Sequence, residues 1–306
     1  MGKFREKIYR FRMRYSDKIF DALNLIIMCA LLIIFIWPLW FVFISSFSDP
    51  NEVFSGNVIV WPKGFTLDAY VNTMQYKLLW TGYANTIFYT TVGTLINIIV
   101  TICAAYPLSR KEYAPRKIVL YLLVFTMYFS GGLIPKYLVV RSLGMVNTRW
   151  AMLIPGACSV YNMLVTRTYF KNSIPESLFE AATIDGANSF HQLVKIVLPL
   201  SKPIVAVIGL YYAVGHWNDY YTALIYLRDV DLLPLQSALR DILLASKILE
   251  DNLGGVINDA SADAKVQLAQ SMRYSSIIIS TVPVLAIYPF VQKFFVKGVM
   301  VGSVKE

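Results

Sequence analysis

Six long apolar runs, at roughly 22–45, 84–106, 118–140, 151–170, 203–227 and 274–292, constrain this chain more than any motif in it. Each is near the ~20 residues a helix needs to cross a ~30 Å hydrocarbon core. At that depth no water satisfies backbone N–H and C=O groups, so a spanning segment must close its hydrogen bonds internally. The expected fold class is all-α integral membrane, with six transmembrane helices. Polar residues and prolines interrupt the second, fourth and sixth runs, as bundle helices tolerate. Composition agrees: 57% of residues are hydrophobic and 15% charged, whereas a soluble chain carries about a quarter charged.

Charge placement sets the orientation. Lys3, Arg5, Lys7, Arg10, Arg12, Arg14 and Lys18 precede the first run, and Arg110, Lys111, Arg116 and Lys117 follow the second. Arg167, Lys171, Lys195 and Lys202 flank the insert after the fourth run, and Lys293, Lys297 and Lys305 lie in the tail. These are most of the chain's 28 basic residues, and a six-span topology puts them all on one side, with both termini cytoplasmic. Solvated faces or contacts with anionic membrane lipid account for the net charge of +9, and no nucleic acid is expected. The first run is longer than a signal-peptide core and no small-x-small site follows it at Ser45 to Asp49, so it reads as an uncleaved span. The organisation expected is a cytoplasmic basic segment at 1–21 and one transmembrane domain over 22–306. That domain carries a cytoplasmic loop at 171–202 and an exterior loop at 228–272.

The exterior loop is acidic, and PLQSALRDILLASKILEDNL within it reads as an amphipathic helix with Leu235, Leu239, Ile242, Leu243 and Ile248 on its stripe. Such a helix either meets a soluble partner or caps the bundle's own outer ends. Cys29, Cys103 and Cys158 lie inside apolar runs without disulfide or metal spacing. With only His191 and His216 besides, no metal cluster and no enzyme are expected.

Residues 173–199 form a polar insert between two apolar runs. Ser173-Ile-Pro-Glu176 and Ser189-Phe-His-Gln192 each have the spacing of a capping box. A helix is expected from the first to Asp185, with Gly186 as its left-handed stop. The second opens another short helix with Phe190, Leu193, Val194 and Val197 at amphipathic spacing and Pro199 after its end. The result is a helix–turn–helix along the membrane surface. Leu178, Ala181 and Ala182 make one stripe of the first helix, where small side chains allow close approach, and Glu180 can pair with a basic group. His191 falls on a polar face, as a solvated or capping residue.

Glu180-Ala181-Ala182, three residues, Gly186, nine residues, then Ile196-x-Leu198-Pro199 resembles the EAA loop of ABC-importer membrane subunits at every position. The segments 131–155, 173–187 and 288–306 extend the likeness to carbohydrate-importer permeases. Among these the chain is similar to the maltose importer's shorter permease and, more closely, to Gram-positive permeases for oligo- and polysaccharide-derived glycans. The resemblance implies the type I ABC-importer permease fold in a bacterial cell membrane. It also implies a heteromeric complex with a homologous second permease, two cytoplasmic ATPase subunits, an extracellular solute-binding protein and an oligosaccharide substrate. Glu180, Ala181, Ala182, Asp185, Gly186, Ile196, Leu198 and Pro199 would then form the coupling helix region that an ATPase grips. The chain has no GxxxxGK[ST] phosphate loop. It is therefore expected to bind no cofactor, with ATP and Mg held by the partner ATPase.

A sugar path would need aromatic faces beside amide and carboxylate groups. Trp217, Asn218, Asp219, Tyr220 and Tyr221 in the fifth run offer these, with Tyr161 and Asn162 in the fourth and Tyr128 in the third. The same residues could instead bond neighbouring helices or anchor at the membrane interface. Gly131-Gly132 with Pro135 is expected to bend the third span or pack it closely, or to act as a gating hinge. An ABC importer for a non-carbohydrate solute shares the loop but not the ending QKFFVKGVMVGSVKE. A self-sufficient secondary transporter should show internal repeats, which the sequence lacks.

Overall fold

The computed structural model describes residues 2–253, 272–286 and 289, and every described element is helical. The chain separates into two compact units, one of residues 1–73 with 246–278 and one of residues 74–245 with 279–306. The C-terminal segment QKFFVKGVMVGSVKE, the basic tail and residues 254–271 of the exterior loop lie outside the described residues, as does the side chain of Ile248.

In the first unit, α1 (Gly2–Ser46) contains the apolar stretch Phe20–Ser46, long enough to cross a membrane. Its side chains from Phe20 to Leu39 are exposed on every face, the pattern of a helix built to be surrounded by apolar material. Beyond it the chain is held by specific bonds. The Ser48 hydroxyl donates to Ile44 O at 2.7 Å and accepts from Lys63 N at 3.2 Å. Asp49 caps α2 (Pro50–Phe54), and Ser46 bonds Tyr70 at 2.8 Å in α3 (Asp68–Gln75). Thr73 bonds Ser275 at 2.7 Å, on the later helix Met272–Ala286.

The second unit is organised around α4 (Lys77–Ser109), long and apolar enough to span. The third apolar run is broken: α5 (Arg116–Tyr128) and α6 (Leu133–Ser142) meet at 115°. Gly132 between them adopts φ +87°, which few other residues adopt, so the expected bend is present. The fourth run becomes the short α7 (Trp150–Leu153) and α8 (Val160–Ser173). After the insert comes α12 (Lys202–Trp217), bent by 83° from the helix before it, and the fifth run breaks again at Asn218–Tyr220 before α13 (Tyr221–Tyr226). Among the described residues two helices pass the length and hydropathy test outright, or up to four if each bent pair is one span.

Helices α4, α8 and α12 share a core that includes Ile102, Tyr106, Met163, Phe170, Ile208 and Tyr212. Buried polar groups cross it. Asn97 donates through Nδ2 to Gly156 O at 2.7 Å, leaving Oδ1 to accept from His216 Nε2 at 2.8 Å. Tyr212 bonds Thr101 at 2.7 Å and accepts from Ser159 N at 3.0 Å. Such bonds fix helix register where apolar contact alone does not, because lipid tails compete equally for apolar faces. Gly93 makes the approach possible: a Cβ there would lie 2.4 Å from His216 Nε2.

The helix α14 (Leu235–Leu253) forms where the exterior amphipathic helix is expected. Leu235, Leu239 and Ile242 of its stripe are buried, and Leu235 and Leu239 pack with Leu79 and Trp217. Asn85 donates to Asp231 O at 2.7 Å and Leu233 O at 3.1 Å, Tyr89 donates to Leu232 O at 2.8 Å, and Thr86 accepts from Leu235 N at 2.8 Å. The start of this loop therefore caps its own bundle.

Candidate functional site

The insert is a helix–turn–helix, with α9 (Glu176–Ile184) followed by α10 (Ser189–Gln192). A π turn (Leu193–Val197) and α11 (Leu198–Leu200) continue the second arm. Its caps differ from those expected. Ser173 is the last residue of α8, so Pro175 occupies the N-cap of α9 without a side-chain bond, and Glu176 turns to Lys111 instead. Proline before the first turn pre-sets the backbone and leaves no room for the Ser173 cap. One residue earlier than Ser189, Asn188 caps α10 by accepting from His191 N at 2.8 Å. Pro199 lies inside the final turn rather than after it. Lacking an N–H, it leaves a ladder position open, and in the preceding π turn Leu198 N reaches back five residues to Leu193 O.

The stop at Gly186 is as expected. Its φ is +77°, Gly186 N donates to Thr183 O at 3.0 Å and Ala187 N to Ala182 O at 2.8 Å. This is the paired closing geometry of a helix that ends in a left-handed residue. A Cβ at Gly186 would meet nothing within 4 Å, so only backbone strain and whatever docks there oppose a side chain.

The stripe Leu178–Ala181–Ala182 divides. Ala182 is buried beside Phe179 against the bundle, while Leu178, Glu180, Ala181 and Asp185 are exposed. Ile184 and Phe190 stand out at 86% and 73% exposure. Ile196 and Leu198 are half-buried and Pro199 exposed. With Cys103, Tyr106 and Arg110, residues Glu180, Ile184 and Phe190 border a groove of about 1020 Å³.

Gln192, which sequence reasoning placed only as a capping residue, is the hub of the insert. It is buried, donates to Thr183 Oγ1 at 3.1 Å and to Ala187 O at 3.2 Å, and accepts from Tyr106 OH at 3.3 Å. One amide thus joins both arms to the end of α4. Arg110 lays its guanidinium 3.6 Å from the Phe179 ring centroid, and Lys111 pairs with Glu176. That bond holds the Glu176 carboxyl below the usual carboxylate range. A glutamine three residues after a serine gave a false capping signal; its burial depends on where Tyr106 arrives in space. His191 has an exposed side chain, as a solvated residue should.

The residues suggested for a sugar path scatter. Trp217 is 8% exposed, packed against Leu79, Leu235 and Leu239. Asn218 donates to Val214 O at 2.9 Å, closing its own helix, and Asp219 accepts from Thr222 N at 3.0 Å. Tyr220, Tyr221, Tyr161 and Tyr128 are exposed, whereas Asn162 is buried in the first turn of α8. The interior polar pair Asn97–His216 was not singled out, although an amide inside an apolar run is the available signal.

Residues 79–301 match the family described as binding-protein-dependent transport system inner membrane component. Protein LplC of Bacillus subtilis (strain 168) is 38% identical over 290 residues, covering 95% of this chain and 96% of the relative. The polygalacturonan/rhamnogalacturonan transport system permease protein YtcP of the same organism is 37% identical over 290 residues, covering 95% and 99%. A crystal structure of a bacterial ABC transporter involved in the import of the acidic polysaccharide alginate contains a chain that is 34% identical. It superposes with a TM-score of 0.82, over 92% of this chain and 98% of that one.

Proposed function

Because this chain belongs to the family of binding-protein-dependent transport system inner membrane components, we propose that it is the permease subunit of an ATP-driven oligosaccharide importer. Its substrates are oligosaccharides or fragments of larger polysaccharides, and its basic loops and termini face the cytoplasm in a six-span topology. Permeases and an importer of such glycans are its relatives over nearly the whole chain. ATP and Mg are held by a separate ATPase, a homologous permease completes the pore, and an extracellular binding protein delivers the sugar.

The observation that carries this reading is that α9 is fixed on one face and exposed on the other. Phe179 and Gln192 root it to the bundle, while Glu180, Ala181, Asp185 and Gly186 are exposed. A partner that grips the free face moves a rigid element. Through Gln192 and Arg110 that motion reaches α4, which packs on α8 and α12. Alternating access then requires two bundle arrangements that ATP and substrate bind with different affinity. The sugar path draws on the exposed Tyr161, Tyr220 and Tyr221 rather than on Trp217.

The test is to purify the intact complex, identify its subunits, and measure ATP hydrolysis with alginate, polygalacturonan and galacto-oligosaccharide fragments. Glu180→Lys and Gly186→Trp are expected to leave insertion intact but to uncouple hydrolysis from uptake. Normal uptake and normal substrate-stimulated hydrolysis in both would refute the coupling role, and stimulation by none of the glycans would refute the substrate class.

A further inference from the structure

A second cavity, of about 450 Å³, lies beside the root of α9 and shares Arg110, Glu176 and Phe179 with the groove bordered by Glu180, Ile184 and Phe190. Six cationic side chains line it: Arg110, Lys111, Arg116, Lys117, Arg167 and Lys171. They come from the loop after α4, the first turn of α5 and the last turns of α8, so three bundle helices converge there by their ends. Among its described lining residues Glu176 is the sole carboxylate.

Pairing within the protein leaves this charge under-compensated. Lys111 takes Glu176, and Arg110 takes Glu112 at 3.2 Å. Arg116 spends one Nη1 donor on Arg110 O and Arg167 spends Nε on Leu108 O, each at 2.8 Å. A guanidinium has five N–H donors, so both retain others. Like charges drawn together disfavour one another's charged forms, and a bound anion relieves that repulsion. Leu120, Phe170 and Ile174 supply an apolar wall to the same cavity.

We propose that this cavity binds a phosphate-class oxyanion, carried by an anionic phospholipid headgroup or present as free phosphate. Arginine forks match phosphate oxygens two at a time, and lysines add point charge. Basic pockets between helix ends on the cytoplasmic side are where anionic headgroups are recognised. The apolar wall and the position at the ends of spanning helices favour the lipid. The bound anion ties the α4–α5 loop and α8 to the first turn of α9, and so stiffens the root of the coupling helix. This assignment rests on the cytoplasmic orientation proposed above, but its test reads binding rather than uptake, so the two can fail separately.

The intact complex is placed in phosphatidylcholine nanodiscs with rising fractions of phosphatidylglycerol. Retained lipid is read by native mass spectrometry and stability by the thermal midpoint. The wild type should hold phosphatidylglycerol through delipidation and gain a saturating rise in midpoint. Lys117→Gln with Lys171→Gln should weaken retention at least about tenfold, since each cation near a membrane surface contributes about 1 kcal/mol. Arg167→Lys, which keeps the charge but loses the fork, should fall between. Inorganic phosphate added to pure phosphatidylcholine discs separates the sources. A midpoint rise that the double variant lacks assigns the site to the free anion, and a response to phosphatidylglycerol alone assigns it to lipid. Equal lipid retention and equal phosphate response in wild type and double variant would overturn the proposal. So would loss of the ATPase subunit from the double variant with lipid retention unchanged, which would assign these cations to a protein partner.

Discussion

Along the first half of α4, Asn85, Thr86 and Tyr89 bond the backbone of residues 231–235, and Gly82 lets Leu235 come so close that a Cβ would sit 3.0 Å from its Cα. At the other end of α4 the insert is met side chain to side chain: Tyr106 bonds the Gln192 amide and Arg110 lies over the Phe179 ring. In the first region the described part of the amphipathic helix turns its stripe inward, onto Trp217 and Leu79. The second leaves half of α9 open. A region held by backbone contacts and close glycine packing resists being pulled. One held through a few side chains can be gripped and still transmit force. That contrast separates a cap from a segment left open on one face.

The contrast is sharpest at Trp217. Trp217→Ala should destabilise the complex by about 3–5 kcal/mol through lost packing, read as a fall in thermal midpoint and in assembly yield. An altered sugar preference with unchanged stability would return Trp217 to the transport path. Next comes Gly93→Val, whose Cβ would collide with His216. Overpacking of this kind costs about 1–3 kcal/mol, and loss of the Asn97–His216 bond adds to it. Unchanged stability would show that α4 and α12 are free to separate there.

At the α9 end, Gln192→Leu leaves the Tyr106 hydroxyl and the Ala187 carbonyl without this partner. Buried unsatisfied groups cost about 1–3 kcal/mol. The expected result is a modest fall in midpoint with a larger loss of substrate-stimulated ATP hydrolysis. A collapse as severe as that of Trp217→Ala would erase the distinction between the two regions.

The smallest effect belongs to Glu176. Lys111 holds its folded-state pKa below the ordinary value, so the pair's contribution is present above the ordinary carboxylate range. It is lost as pH falls through the depressed value. Because Glu176 is exposed, solvent screens the pair. A pH titration of the thermal midpoint should therefore show wild type only slightly above Lys111→Gln at neutral pH, with the gap closing as pH falls through the depressed value; a gap that persists or grows in acid would refute the assignment.

Much of the polar insert was legible in the linear chain. Gly186 announced its own φ, because an L side chain is strained there, and the stripe of α14 announced its buried face through period alone. The capping boxes misled because Ser173 and Ser189 each had a neighbour better placed for the local backbone, Pro175 and Asn188. Spacing cannot rank two adjacent candidates. The packing of Trp217 against Leu79, Leu235 and Leu239 was hidden for a similar reason: composition shows that an aromatic lies in a span, not which way it faces.

By itself, then, the sequence determined what depends on short range and on solvent: apolar lengths that suit a membrane, the glycine stop at Gly186 and the inward stripe of α14. Only the tertiary structure decided what depends on distant segments arriving at one point. Gln192 became a hub because Tyr106 ends beside it, six cations became one cavity because three helices converge, and Trp217 became core because Leu79 and Leu235 enclose it. Local periodicity carries no information about such meetings, since the separation that matters is in space and not along the chain.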